Sequence, residues 1–196
     1  MFYRPSLIQR CLCAATLALS FQASAQSGIV LDGIAIPKQV IQGEQSLPLI
    51  GAGLCSEFIF NIYLAALYAR PISHEAQALI AGPGPRRLHL QFLRDISAST
   101  LEQAVRQGLE ANHSAADVKS LKPAIDTLSA LLHRIGQLSN GDIIDLAMEP
   151  GAVTIFYNGQ SQGRIDDTNL AAALLRIWLG DNPAQASLKE ALLGQN

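Results

Sequence analysis

Hydrophobic and polar positions along the chain follow two periods, and their order outlines a fold. The stretch Leu49 to Arg70 carries the strongest signal: from Phe58 to Tyr68 it is apolar except for Asn61 and the hydroxyls of Tyr63 and Tyr68. Those eleven residues are too few to cross a hydrocarbon layer, which needs about 20 helical residues. Phe, Ile and Tyr favour extended backbone, so the pattern predicts one long strand with a bend near Ala65-Ala66. Read with period two, Phe58, Phe60, Ile62, Leu64, Ala66 and Tyr68 share one apolar face. The opposite face carries Ile59, Asn61, Tyr63, Ala65 and Leu67. A strand apolar on both faces belongs inside a sheet, and Asn61 and Tyr63 then need polar partners or a ligand.

Around this stretch the pattern predicts short strands over 29–37 and 38–42, with a turn at Asp32-Gly33 and another at 43–45. A short helix over 74–80 precedes Gly82-Pro83-Gly84-Pro85, a run that neither helix nor central strand tolerates. Leu88, Leu90 and Phe92 alternate as a half-buried strand. Ser99 followed by Glu102 reads as a capping box opening a helix to about Asn112, with Leu101, Val105 and Leu109 inward. Ser114 opens a second helical stretch, and Pro123 a third that carries Ile125, Leu128, Leu131, Leu132 and Ile135 to Gly136. Strands over 143–148, 152–157 and 161–165 are separated by Pro150-Gly151 and Asn158-Gly159, the latter a strong hairpin signal. A helix over 168–179 points Leu170, Leu174, Ile177 and Trp178 inward, and Ser187 caps a last one through Leu193. Strands, helices, strands, helices: the order predicts an α+β fold, a curved antiparallel sheet with helices layered on one face.

The first 25 residues add a different message. Arg4 and Arg10, an apolar run from Cys11 to Phe21 and then Ala23-Ser24-Ala25 match a secretory signal cleaved after Ala25. The expected mature protein is a soluble, periplasmic, single domain over 26–196 with no integral membrane segment. Arg4 and Arg10 leave with the signal, so twelve basic face sixteen acidic residues, a net charge of −4. The lysines (38, 119, 122 and 189) are scattered, so no nucleic-acid partner is expected. Cys55 alone remains, which rules out an internal disulfide, and nothing in the pattern sets an oligomeric state.

Motif chemistry is sparse. There is no phosphate loop, dinucleotide fingerprint or G-x-S-x-G elbow. His74, His89, His113 and His133 lack ligand spacing, so neither metal nor cofactor is expected. Asp142, Asp145, Asp166 and Asp167 sit at turns and caps, where Asp is at home. Cys55 reads as a small buried hydrophobe.

Four segments together carry a resemblance: the 49–70 stretch, FLRDISASTLEQAVRQGLE (92–110), NGDIIDLAMEPGAVTIFYNGQSQGRI (140–165) and LAAALLRIWLGDNP (170–183). In order and spacing they resemble the chalcone isomerase-like superfamily, and more narrowly its exported bacterial branch, with G-A-G-[LI]-R opening the central strand and W-L-G-D-x-P closing the long helix. The resemblance implies a largely apolar cleft between a curved sheet and its helices, holding flavonoids in plant isomerases and fatty acids in non-catalytic relatives. It also implies where site residues fall. The isomerase arginine position is Cys55, the strand threonine is Tyr63, the helix tyrosine and asparagine fall near Thr100 and Gln107, and the late-helix serine or threonine falls at Ile177, beside Trp178. Every isomerase position therefore departs from the pattern, and loss of the arginine removes the oxyanion stabiliser.

The resulting expectation is non-catalytic binding of a small apolar or amphipathic molecule, a fatty acid or an aromatic compound. Its pocket is expected between the Asn61/Tyr63 face and the helix of Thr100 and Gln107, with Ile177 and Trp178 on the wall and Cys55 at its head. Arg94 is the nearest cation for an acidic head group, or else a salt-bridge partner of Asp95 or Glu102. Two alternatives stand beside it: a lyase or isomerase on an enone or phenol with Tyr63 as proton donor, and a structural protein whose cleft is filled by side chains.

Overall fold

The computed structural model describes residues 28–195, so the signal expected over 1–25 lies outside the described residues. Strands β1 (Ile29–Leu31) and β2 (Ile34–Ile36) pair across Asp32-Gly33; β3 (Gln39–Gln42), β4 (Gln45–Glu57) and β5 (Phe60–Ala69) follow. Next come α1 (Ala76–Ala81), β6 (Arg86–Phe92), β7 (Ile96–Ser97), α2 (Ala98–Asn112), α3 (Ala115–Ser120) and α4 (Lys122–Ile135). The chain closes with β8 (Gln137–Leu138), β9 (Ile143–Glu149), β10 (Ala152–Tyr157), β11 (Gln160–Asp166), α5 (Leu170–Leu179) and α6 (Ala186–Leu192). Seven strands form one curled antiparallel sheet in the order β11-β10-β9-β6-β5-β4-β3, with β5 in the interior. The fold is α+β, as the element order implies.

The two faces of the sheet have different covers. On one, Ala65, Leu67, Leu88, Leu90, Phe92, Ile144, Leu146 and Val153 meet the inward stripes of α2, α4, α5 and α6 in the main core. On the other, Leu64, Ala66 and Tyr68 pack with Leu47 and Ile36 beneath the β1–β2 hairpin. Further along that second face β6 and β9 turn polar, where His89 meets Asp145 at 2.9 Å. The two-sided apolar pattern of β5 is thus satisfied by helices on one side and a hairpin on the other.

The long strand expected through Phe58 is instead two strands. Glu57 pairs with Phe60, and Phe58-Ile59 form a two-residue turn, with Phe58 at φ 54. A side chain of that bulk at positive φ gives no sequence signal of a turn, since Gly, Asn and Asp normally mark one. The pairing of β5 runs without a register shift through Ala65-Ala66; the irregularities lie at Leu49/Gly51 and at Cys55/Ser56 of the β4–β5 pairing. The helix starts also shift. Ser97, not Ser99, caps α2 by accepting from the Thr100 amide at 3.1 Å, because the β7–β8 ladder ends the extended segment there. Glu102 turns instead to Arg106 and His133. The chain's capping box is Ser114 with Asp117, opening α3, and Ser187 lies within α6 rather than before it.

Close approach of α6 to β4 explains the glycines of the G-A-G segment. A Cβ on Gly53 would stand 2.6 Å from the Ala191 Cβ, and one on Gly51 would strike the Ala191 carbonyl. Bare backbone at both positions is what lets α6 lie flat on the strand that leads to Cys55.

Candidate functional site

The end of the β4–β5 hairpin nearest its turn holds the chemistry. Cys55 and Tyr63 are directly opposed across the two strands. From α5, Trp178 reaches across the core and its Nε1–H donates to the Tyr63 hydroxyl at 3.0 Å. Phe92 on β6 packs against Tyr63 with ring centroids 6.1 Å apart. Trp178 is buried at 4 % exposure, whereas Cys55 and Tyr63 are half-buried.

Donor and acceptor rules give this cluster a direction. An indole N–H can only donate, so Tyr63 accepts from Trp178 and keeps its own O–H to donate elsewhere, with Cys55 directly opposite it across the strands. The Cys55 thiol brings a weak S–H donor to the same place. Burial pushes the Tyr63 hydroxyl well above the usual phenol range, with Cys55 adding to the shift. Burial also pushes the Cys55 thiol up, partly offset by the Tyr63 hydroxyl. The Trp178–Tyr63–Cys55 cluster is therefore uncharged at neutral pH.

The other expected site residues lie elsewhere. Between Cys55↔Tyr63 and Ser56↔Asn61, β5 advances two residues while β4 advances one, leaving Ile62 as the extra residue of a bulge. Side-chain direction reverses with a one-residue slip. Asn61 consequently leaves the Tyr63 face, accepting from Ser56 Oγ at 2.8 Å and donating to Asp32 at 3.1 Å on the β1–β2 turn. Asn61 and Tyr63 do not share a face, contrary to the period-two reading.

Arg94 is exposed and stacks its guanidinium on the Phe60 ring at 4.2 Å; among the described residues it forms no ion pair with Asp95 or Glu102. Thr100 is spent on the α2 cap, bonding Ser97 Oγ at 2.8 Å, and Gln107 is exposed on α2. Ile177 is buried against α2, where a Cβ on Gly108 would stand 2.6 Å from its Cγ2. Of the eight, Cys55, Tyr63 and Trp178 come together as one unit. Gln185 joins them unforeseen: its Oε1 accepts from the Ser56 amide at 3.0 Å, closing the rim next to Cys55.

Two of the cavities among the described residues lie between helices, and neither is lined by Tyr63 or Trp178. One, of about 790 Å³, is polar and lies where α1, α2, α3, α5 and α6 converge, with Asn112, Asp117, Arg176 and Lys189 on its wall. The other, of about 460 Å³, is a groove between α2, α3 and α4. Its floor is Ala115, Val118 and Ile125, and its rim carries Arg106, Lys119 and Lys122 against Glu110. No cluster of three metal-ligating side chains occurs among the described residues.

A family model described as chalcone isomerase-like matches residues 28–194. Among solved structures, the chain is similar to the crystal structure of a fatty-acid binding protein from Arabidopsis thaliana. The TM-score is 0.65 at 16 % identity, covering 82 % of this chain and 92 % of that one, which is a likeness of fold. No curated protein sequence matches the chain.

Proposed function

The chain belongs to the chalcone isomerase-like family, and from that premise we propose that it is an exported, non-catalytic binder of a small apolar or amphipathic molecule. The observation that carries this reading is the uncharged cluster in which Trp178 donates to Tyr63 and Cys55 stands opposite Tyr63 across the strands. Where the isomerase pattern has a cation, this chain offers a thiol. Stabilising a developing oxyanion is commonly the largest catalytic contribution, and a weak S–H donor held protonated supplies little of it. The same thiol is suited to meet an uncharged oxygen, while Phe92, Tyr63 and Trp178 give an apolar, aromatic surround. A likeness to a fatty-acid binding protein supports an acyl chain or an aromatic ring as the apolar part of the ligand.

Export to the periplasm is proposed from Arg4, Arg10, the apolar run and Ala23-Ser24-Ala25. A chain recovered from a periplasmic extract with Gln26 at its N-terminus supports this; a chain in the cytoplasm that retains Met1 to Ala25 opposes it.

One observation favours a second reading, a structural protein with a filled cleft: Trp178 is nearly fully buried and occupies the space beside Tyr63. Native mass spectrometry of protein purified without detergent separates the two. The binding reading expects a retained adduct of a few hundred daltons that Tyr63→Phe weakens. Wild-type protein that is repeatedly ligand-free, and whose melting temperature no apolar compound raises, leaves the filled cleft standing.

A further inference from the structure

The turn of the β4–β5 hairpin carries the longest run of consecutive exposed large hydrophobic residues among the described ones. Phe58 is 94 % exposed, Ile59 87 % and Phe60 49 %, three consecutive residues at the hairpin tip. Single exposed hydrophobics are ordinary on a protein surface, but three in a row at a hairpin end are not. The backbone adds a second observation. Phe58 holds φ 54, a conformation that Gly or Asn adopts at little cost and a phenylalanine rarely does. An apolar aromatic side chain thus stands where turn chemistry and solvent both disfavour it.

We propose that this tip inserts into the surface of a zwitterionic phospholipid bilayer. Shape selects a deformable partner, since a projecting knob of two nearly naked side chains needs a medium that closes round it. Charge selects the head group. The Arg94 guanidinium lies 4.2 Å over the Phe60 ring, and Glu57 is paired with Phe60 across the strands, so a cation and a carboxylate flank the same aromatic residue. Phosphate accepts from the first, and the ammonium of an ethanolamine head group donates to the second. An anionic surface alone does not fit, because Asp32 and Asp95 lie close by in the chain's fold and the expected mature charge is −4.

Continuity with the proposed ligand site gives insertion a use. Cys55 stands two residues before Glu57 and Tyr63 three after Phe60, about 10 Å from the tip along extended strands. A membrane-soluble ligand leaving the bilayer at the tip meets the half-buried Cys55 beside Tyr63. This use rests on the binding reading above; the insertion itself does not.

Co-sedimentation with phosphatidylethanolamine/phosphatidylcholine vesicles tests the proposal, with wild type compared to Phe58→Asn/Ile59→Ser. The variant removes both exposed side chains and relieves the positive φ, so its melting temperature is expected to equal or exceed that of wild type. Its vesicle partition coefficient is expected to fall by at least about tenfold, and its affinity for a medium-chain fatty alcohol in detergent-free solution to stay unchanged. Phe58→Trp gives a second readout: the indole emission of this variant shifts to the blue on vesicles and is quenched by brominated acyl chains.

Equal partitioning of wild type and double variant, or a Phe58→Trp emission blind to brominated lipid, overturns the proposal. So does a wild-type protein that ignores vesicles and instead self-associates through the tip. Vesicle binding without uptake of any soluble ligand sustains insertion while defeating the binding reading, and the reverse result does the opposite.

Discussion

Two regions of this molecule compete as the place of the proposed amphipathic ligand, and they differ in what they would present to its head group. At the base of the β4–β5 hairpin, Trp178 in the main core donates to Tyr63, and Tyr63 and Cys55 pack against that core as uncharged polar groups. In the α2–α3–α4 groove, an apolar floor of Val118 and Ile125 lies under three cations. Two of these are already engaged, Arg106 with Glu102 at 3.3 Å and Lys122 with Asp126 at 2.6 Å, while Lys119 forms no ion pair among the described residues. Exposed ion pairs of this kind contribute about 0–1 kcal/mol each and rearrange readily. The groove therefore resembles a solvated surface with loose positive charge, and the hairpin base is a neutral, half-buried cluster, the socket of the proposed binding. On that proposal, the charge on the ligand's head group decides between them.

The largest expected effect breaks the socket outright. Trp178→Ala removes a buried aromatic side chain and leaves the Tyr63 hydroxyl without its donor, lowering unfolding stability by about 3–5 kcal/mol in urea titrations. Val118→Ala in the groove, where the side chain is half-buried, is expected to change it by less than about 1 kcal/mol. Comparable losses at the two places would erase the distinction.

Tyr63→Phe comes next. It keeps the ring against Phe92 and deprives the buried Trp178 N–H of its acceptor, at a cost of about 1–3 kcal/mol. The same substitution is expected to leave any chalcone turnover at the uncatalysed rate in both proteins. A wild-type rate above background that vanishes with the hydroxyl would return the isomerase alternative.

Cys55→Arg converts the socket toward the character of the groove. Because Cys55 is half-buried, the guanidinium can keep contact with water, and the stability loss is expected to stay below about 2 kcal/mol. Affinity for carboxylates should rise about tenfold or more, since a charged hydrogen bond is worth ~1.5–3 kcal/mol. A loss of several kcal/mol that no ligand rescues means that the space at Cys55 is closed.

The smallest effect is a titration. Burial holds the Cys55 proton on, so the folded protein keeps it at pH values where the unfolded chain, with a thiol pKa of about 8.5, has released it. Stability from this group is present below the unfolded pKa and declines as pH rises through the folded one. Alkylation by iodoacetamide should accordingly be slower than for free cysteine near pH 8 and accelerate at higher pH. Added ligand should slow it further. Alkylation as fast as that of a free thiol would show an open, unperturbed group.

Much of this architecture is legible in the chain because it rests on local rules. Asn158-Gly159 makes the turn it advertises, the Leu128–Leu131–Leu132 stripe packs inward, and Leu88, Leu90 and Phe92 share a face. The site is legible only in part, for reasons of register. A bulge at Ile62 sends Asn61 to the opposite face, and period-two reading has no means of counting an extra residue. The Phe58-Ile59 turn lacks every turn residue, so two strands read as one. Resemblance rather than packing points to Thr100 and Gln107, and α2 exposes both. Gln185 carries no signal at all, because its role depends on a contact 129 positions away.

The most direct test of the neutral socket compares a fatty alcohol with the fatty acid of equal chain length at pH 7.5, by calorimetry on the delipidated wild-type protein. The tails are the same, so the difference reports the head group alone. Binding at the Cys55 end predicts that the alcohol binds more tightly than the carboxylate by about tenfold or more, because an anion there is desolvated without a charged partner. Tighter binding of the carboxylate, abolished by Lys119→Glu and indifferent to Tyr63→Phe, would contradict the account and move the ligand to the groove.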